Sequence, residues 1–246
     1  MNQNYSNIEL IIIDGGSTDG TIDIIKKYDP YISYWISETD QGQSDALNKG
    51  FKYCTGEIYG FLNSDDIYLP GAFNRVSNIF LKNLDKKIIF GDWLSIDKKN
   101  LVIDYHHAFD FNLSHFKYEG FHLNAQAMFW RSDVHYNFSG FDKKLYYTMD
   151  YQLILELGIN EGEHSFLRLD NFLGGFRRYS GQKTTGHMEP DVIKEHIYLA
   201  RKYDYLDKYK LIGKLKRFYY RLRRAWWYFK RGGMSTLALR LKNSIC

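Results

Sequence analysis

The sequence predicts an α/β protein with an open, mostly parallel sheet flanked by helices. Two observations lead to this fold class. Short aliphatic runs alternate with amphipathic stretches, and Asp14 and the Asp65-Asp66 pair lie at or just beyond the ends of two of the runs. Alternation of this kind produces right-handed strand–helix–strand crossovers. Ligands of such sheets bind beyond the carboxyl ends of the strands, so these carboxylates mark a candidate site.

The first half of the chain carries the clearest elements. Ile8–Asp14 is a nearly continuous aliphatic run, typical of a strand buried on both faces. The glycine-rich turn that follows it contains helix-capping residues. In order, the predicted elements are strand Ile8–Asp14, helix Thr21–Tyr28, strand Ile32–Ser37, helix Ser44–Tyr53, strand Glu57–Leu62, a helix from Pro70 to Leu81, and a hairpin of Lys87–Ile96 with Leu101–Tyr105.

The second half is less regular, and its elements are predicted from shorter patterns. They are a strand or loop at Ala125–Arg131, a helix beginning at Asp150–Leu157, an extended segment at Ser165–Tyr179 and a helix at Asp191–Tyr203. We divide the chain into a catalytic-type domain at residues 1–185 and a helical basic tail at residues 186–246.

Composition narrows the class of protein. With 246 residues, 44% hydrophobic and 25% charged, the chain resembles ordinary folded proteins rather than disordered ones. Its aromatic content of 17% fits either a sugar-stacking surface or a bulky core. Two distant cysteines form no disulfide framework, which favours a reducing cytoplasm. Neither a signal peptide nor an apolar run long enough to span a bilayer is present.

The charge is distributed unevenly along the chain. Residues 208–246 contain 12 Lys and Arg and no Asp or Glu, whereas the rest holds 21 basic and 29 acidic residues. Within this tail, apolar residues recur every three or four positions: Leu211, Leu215, Phe218, Leu222, Trp226 and Phe229. An amphipathic helix of this kind suits an anionic membrane surface. The alternative is a helix that packs its apolar side on the domain and leaves its cations in solvent. No nucleic-acid-binding motif accompanies the charge.

Adjacent carboxylates at a strand end need compensation if both are to stay ionised. A Mg²⁺ or Mn²⁺ ion held by Asp65 and Asp66 together with substrate phosphates would supply it. In the alternative reading, the pair caps the helix after Pro70 or lies in a solvated turn.

Several ordered segments resemble family-2 glycosyltransferases, which are inverting enzymes with the GT-A fold. The similarity runs over roughly residues 3 to 185. The segments that carry it are Glu9–Thr21, Asp40–Gly50, Gly56–Gly71, Asn124–Arg131, Gly140–Asp142 and Met149–Leu153.

The resemblance implies a role for each matched residue. It implies that Asp14, Ser17, Asp65 and Arg178 bind the nucleotide-sugar, with Asp65 and Asp66 holding the metal. The alternative for Asp14 is that it only caps the turn at Ser17–Thr21. It also implies that Gln126 and Trp130 contact the acceptor or the donor sugar, a core role being the alternative for both. Asp150 matches the general base, its alternative being the N-cap of the following helix. Arg177 and Lys183 belong with Arg178 to a basic loop that holds the diphosphate or is merely solvated.

The sequence departs from the family pattern twice. The family's domain begins with a strand and helix before the Asp14 strand, and here only Met1–Asn7 precede it. We therefore expect an amino-terminally truncated domain with an open sheet edge. Leu47 also stands where many relatives have Arg, so one diphosphate contact is expected to be missing.

Together these observations predict an inverting, metal-dependent glycosyltransferase. It would move a sugar from a nucleotide diphosphate donor to a glycan or polyprenyl-linked acceptor in cell-surface polysaccharide biosynthesis. We expect it in the cytoplasm, peripheral on the inner face of the cell membrane. The rival hypotheses are a non-catalytic fragment of the fold and a membrane-binding accessory module.

Overall fold

The computed structural model describes residues 3–183 and 190–243, the last ten of them as backbone only. The strands are β1 Ile11–Asp14, β2 Tyr34–Ser37, β3 Ile58–Tyr59, β4 Ile67–Tyr68, β5 Ile88–Ile96, β6 Val102–His106, β7 Met128–Arg131 and β8 Phe166–Arg177. The predicted boundary at residues 185–186 and the end of the predicted tail at residues 244–246 lie outside the described residues.

Eight α-helices are found in the described part of the chain. They are α1 Thr21–Tyr28, α2 Gln43–Phe51, α3 Ala72–Lys82, α4 Leu113–Glu119, α5 Ser132–His135, α6 Met149–Glu161, α7 Pro190–Lys202 and α8 Leu211–Asn243. Short 3₁₀ turns occur at Asp29–Tyr31, Ala125–Ala127, Glu163–Ser165 and Leu206–Tyr209.

The strands form two sheets. β1 and β2 pair in parallel, with Asp14 opposite Ser37. The larger sheet has the order β3-β7-β5-β8-β4, with β6 paired to β5. In it only β5 and β8 are parallel, so the expectation of a mostly parallel sheet is corrected to a mixed one. The reason is partly local, because the tight turn between β5 and β6 joins an antiparallel pair.

β5 is the central strand and organises the core. Ile88, Ile89 and Phe90 are fully buried, as an apolar run covered on both faces requires. One cluster packs β5 and β7 against α6, and a smaller one packs them against α3. α7 adds Leu199 and Ala200 to the first cluster, so it shares the core of the body.

α8 docks on the body through a face of cations and aromatic rings. Lys216, Arg224 and Arg231 form ion pairs with Asp207, Glu119 and Asp170, whereas the apolar residues of α8 named above are exposed. The alternative of an apolar side packed on the domain is therefore wrong. The backbone bends at Gly232 and Gly233. Within the described residues, no helix is long and apolar enough to cross a bilayer.

Candidate active site

Asp14 lies at the end of β1 and holds the turn that follows. Gly16 has a φ of 87°, which glycine adopts readily. Its N–H and that of Ser17 donate to Asp14 Oδ2 at 3.0 and 2.8 Å. The hydroxyl of Ser37 donates to the same oxygen at 2.6 Å. The hydroxyls of Ser17 and Ser37 lower the pKa of Asp14 to about 2. Asp14 is therefore an ionised acceptor that also shapes its own turn, as the alternative reading expected.

Asp66 is buried inside the loop between β3 and β4. Its Oδ1 accepts from the backbone N–H of Arg177 at 2.9 Å. Its Oδ2 accepts from Asn63 Nδ2 at 3.1 Å and from Gln126 Nε2 at 3.0 Å. Burial raises the pKa of Asp66 to about 6, and the negative charge of Asp65 adds to the rise.

Asp65 is partly exposed beside it. The hydroxyl of Tyr179 and the amide of Gln182 donate to Asp65 Oδ2 at 3.1 and 3.2 Å. Arg177 Nε donates to the Asp65 carbonyl oxygen at 2.6 Å. The Arg177 guanidinium also reaches Asp97 O and Asn100 Oδ1, so it ties this acidic turn to the β5–β6 turn.

Asp65 and Asp66, which we call the acidic turn, are candidate ligands for a divalent cation. Within the described residues, no group of three or more His, Cys, Asp and Glu side chains forms a metal centre. Two adjacent carboxylates are the donor set expected where phosphates supply further ligands. Asp65 is the more accessible of the two.

Hydrogen bonds from side chains of α2 connect this turn to the segment before α6. Gln43 Nε2 donates to Asn63 Oδ1 at 2.5 Å. The neighbouring Ser44 donates to the Leu145 carbonyl oxygen at 3.0 Å. The side-chain amide of Asn48 donates to the carbonyl oxygen of Phe141 and accepts from its backbone N–H. α2 therefore lies between the acidic turn and the segment that leads to Asp150.

Asp150 sits in the first turn of α6. The N-cap residue is Thr148, so the alternative that Asp150 is the N-cap is wrong. Burial raises the pKa of Asp150 to about 6, and the negative charge of Glu195 contributes. Glu195, from α7, accepts hydrogen bonds from the backbone N–H groups of Tyr146, Tyr147 and Thr148. α7 thereby holds the segment just before Asp150.

The remaining predicted residues lie in different surroundings. Gln126 is buried and contacts Asp66; a Cβ on Gly174 would overlap the Gln126 carbonyl, so glycine permits this close approach. Trp130 is 0% exposed in the core, which corrects the expectation of an acceptor contact. Arg178 is exposed.

Lys183, from the predicted basic loop, and Leu47, which departs from the family pattern, lie in different surroundings. Lys183 Nζ lies 3.7 Å from the centre of the Tyr146 ring. Leu47 packs against the core.

Sequence reasoning missed several residues of the site. Ser37 could have been found, because it ends the strand beside β1 at the same sheet edge. Asn63 and Gln43 lie within matched segments and are polar, but polarity alone assigns no partner. Tyr179 and Gln182 follow β8 and reach Asp65 only because of the fold.

Comparison with known proteins identifies a matching family. The sequence profile named Glycosyl transferase family 2 matches residues 1–149. A "PGL/p-HBAD biosynthesis glycosyltransferase" of Mycobacterium bovis is 32% identical over 133 residues, covering 52% of this chain and 50% of that protein. An uncharacterized glycosyltransferase of Nostoc is 38% identical over 81 residues, covering 32% of this chain and 25% of that protein. The chain thus spans half or less of these relatives.

Solved structures agree on the fold. S. aureus TarS 1-349 in complex with UDP-GlcNAc matches with a TM-score of 0.60 at 17% identity, over 80% of this chain and 58% of that one. The mannosyltransferase PcManGT from Pyrobaculum calidifontis, in complex with GDP-Man and Mn²⁺, matches with a TM-score of 0.56 at 11% identity, over 99% and 73%. The predicted GT-A-like α/β fold is confirmed.

Proposed function

Because the chain belongs to glycosyl transferase family 2, we propose that it transfers a sugar from a nucleotide diphosphate donor to an acceptor hydroxyl with inversion. The acidic turn is the observation that carries this proposal. It combines a buried carboxylate of raised pKa with a partly exposed neighbour. Similar structures were solved with UDP, UDP-GlcNAc and GDP-Man, which supports a nucleotide-sugar donor.

The residues of the acidic turn and those around it each have a proposed role in donor binding. Asp65 and Asp66 would hold Mg²⁺ or Mn²⁺, and the ion would supply Lewis-acid stabilisation of the departing diphosphate. Asp14 accepts hydrogen bonds from the nucleoside, as an ionised carboxylate can. Ser17, exposed in the β1 turn, and the exposed cation Arg178 complete the donor contacts. Gln126 orients Asp66 and lies next to the bound sugar.

Asp150 takes the proton in the transfer step. The acceptor oxygen attacks the anomeric carbon from the face opposite the diphosphate, the bond from that carbon to the phosphate oxygen breaks, and the hydroxyl proton passes to the carboxylate. A base with a pKa of about 6 is largely ionised at neutral pH and still basic enough to accept that proton.

The acceptor side of the proposal concerns the cell envelope. We propose a glycan or polyprenyl-linked acceptor in cell-surface polysaccharide biosynthesis, with the protein peripheral on the inner face of the cell membrane. The basic tail of residues 208–246 supports this location, since it carries 12 cations and no acidic residue.

Donor turnover tests the function. Nucleotide release is measured with a panel of UDP- and GDP-sugars in the presence of Mn²⁺, for the wild type and for Asp65→Ala and Asp66→Ala. We expect metal-dependent release that drops by about a hundredfold or more in both variants. Asp85→Ala is the control, because Asp85 is an exposed carboxylate whose partner is the neighbouring Lys86.

The outcome separates the rival functions. Full metal-dependent activity in both acidic-turn variants would contradict the metal assignment. If this chain neither binds nor hydrolyses any donor while an amino-terminally extended version does both, the chain is a non-catalytic piece of a transferase. If neither version reacts, the enzyme hypothesis fails.

A further inference from the structure

α8 exposes a continuous apolar stripe. Eight large side chains on it are between 37% and 73% exposed, and we call them the outward row: Leu211, Ile212, Leu215, Phe218, Tyr219, Leu222, Trp226 and Phe229. Their spacing places them on one side of the helix over roughly 27 Å, at 1.5 Å per residue. Exposed apolar patches of this size mark interaction surfaces.

The opposite side of α8 is already occupied by the body. Arg224 Nη1 lies 2.7 Å from Glu119 Oε1, and Lys216 Nζ lies 3.1 Å from Asp207 Oδ2. The Cζ atoms of Arg168 and Arg231 lie 5.2 and 5.1 Å from the centre of the Trp227 ring. Because the cations on this side are neutralised by the acidic body, the helix is held with its apolar residues outward.

Other cations flank the outward row. Lys210, Lys214, Arg223 and Lys230 are exposed. Arg223 and Lys230 also lie over the rings of Tyr219 and Trp226, at 5.9 and 5.4 Å from their centres. The partner that fits this surface is apolar inside and anionic at its rim. A second copy fits poorly, since pairing like faces would oppose cation to cation with no acidic residue on this segment.

We propose that the outward row is a docking surface for an anionic lipid leaflet. Its aromatic and aliphatic side chains enter the headgroup region, while the four flanking cations contact lipid phosphates. The cations of the other side hold α8 on the body and do not contact lipid. This inference rests on the peripheral location proposed above, and it assigns that role to particular side chains.

Vesicle flotation of the full chain tests the surface without any sugar nucleotide. Vesicles of phosphatidylcholine alone are compared with vesicles containing one third phosphatidylglycerol. The variant Phe218→Ser/Trp226→Ser is expected to lose at least about tenfold in vesicle affinity, because it removes two aromatic anchors. Leu81→Ser/Leu84→Ser is the matched control, since these residues are 73% and 78% exposed and lie outside α8. Lys214→Gln/Lys230→Gln should lose affinity severalfold on the anionic vesicles only.

Each outcome decides one way. Equal binding of the wild type and the Phe218/Trp226 variant would overturn the proposal, as would no vesicle binding by the wild type. A wild-type dimer in sedimentation that this variant dissociates, with no vesicle binding, would assign the row to a second copy instead. Row-dependent vesicle binding without donor turnover would leave this inference standing while the transferase proposal fails.

Discussion

At the scale of single residues, Asp150 shows how position sets chemistry. It lies in the first turn of α6, where a carboxylate is favoured by the helix dipole, yet burial raises its pKa to about 6. The protonated form is therefore reached at mildly acidic pH. A group of this kind is ionised at neutral pH and can return its proton readily to solvent.

Asp150→Asn should lower the rate of sugar transfer by about a hundredfold or more while changing donor affinity by no more than about twofold. The wild-type transfer rate should fall as pH drops through about 6, because the base becomes protonated. The residual rate of the variant should lose this part of the dependence and keep only the part due to Asp66. Single-turnover transfer and calorimetric donor titration measure the two effects. Asp133→Asn is the control, since Asp133 also lies in the first turn of a helix and accepts from the next backbone N–H, but is exposed. An unchanged transfer rate in the Asp150 variant would refute the assignment.

At the scale of elements, the acidic turn depends on a strand far away in the sequence. β4 pairs with β8 so that Ile67 is opposite Gly175, which brings Arg177 to Asp65 and Asp66. The Arg177 side chain then spans to the β5–β6 turn, where Asn100 adopts a φ of 65°. Three segments are thus fixed by one guanidinium with several acceptors.

Arg177→Ala should weaken Mn²⁺ and donor binding by about tenfold, because the turn loses its anchor while both carboxylates remain. Arg177→Lys should restore little, since an ammonium cannot reproduce the planar set of donors. Calorimetric titration of Mn²⁺ in the presence of donor checks this. Lys99→Ala, an exposed change in the same β5–β6 turn, is the control. Wild-type affinity in the Arg177 variants would show that the turn holds its shape without them.

These elements also show what a sequence can predict. Thr21–Tyr28 and the hairpin of β5 and β6 were predicted closely because their patterns are local. Asp14, Asp65 and Asp66 were recognised because they lie at or just beyond predicted strand ends; in the structure Asp14 ends β1, whereas the pair directly precedes β4. The Arg177 contact requires a strand register across 111 residues, which no local pattern contains. Trp130 shows the converse, because its matched position says nothing about which way the ring packs.

At the scale of the whole molecule, opposite charges organise the assembly of body and tail. The acidic body accepts the cations on one side of α8, and this leaves the apolar side outward. Buried titratable groups add a second property of the whole fold. Burial lowers the pKa of His122 to about 3 and those of His135 and His196 to about 4.

These histidines should make the protein less stable in mild acid. Their pKa values lie below the unfolded value near 6.5, so the unfolded chain takes up protons first as pH falls below 6.5. Each histidine then costs up to about 1.4 kcal/mol per pH unit until its folded pKa is reached. Asp66 and Asp150 act in the opposite sense, because their raised pKa values let the folded state take up protons near pH 6. The net effect of acid on the free energy of unfolding is a decrease, because three histidines outnumber the two carboxylates and begin to take up protons at higher pH.

Urea unfolding of the metal-free protein should therefore show a lower free energy of unfolding at pH 5 than at pH 7. His122→Phe should reduce that difference by well over a third, since one of the three histidines is removed while the two opposing carboxylates remain. The substitution suits the site, because His122 stacks on Phe109 with ring centres 4.4 Å apart and its Nε2 has no partner within the described residues. His164→Gln, at an exposed position, should leave the pH dependence unchanged. An equal pH dependence in the wild type and His122→Phe would mean that His122 takes up its proton equally in the folded and unfolded states. The burial argument would then fail for it.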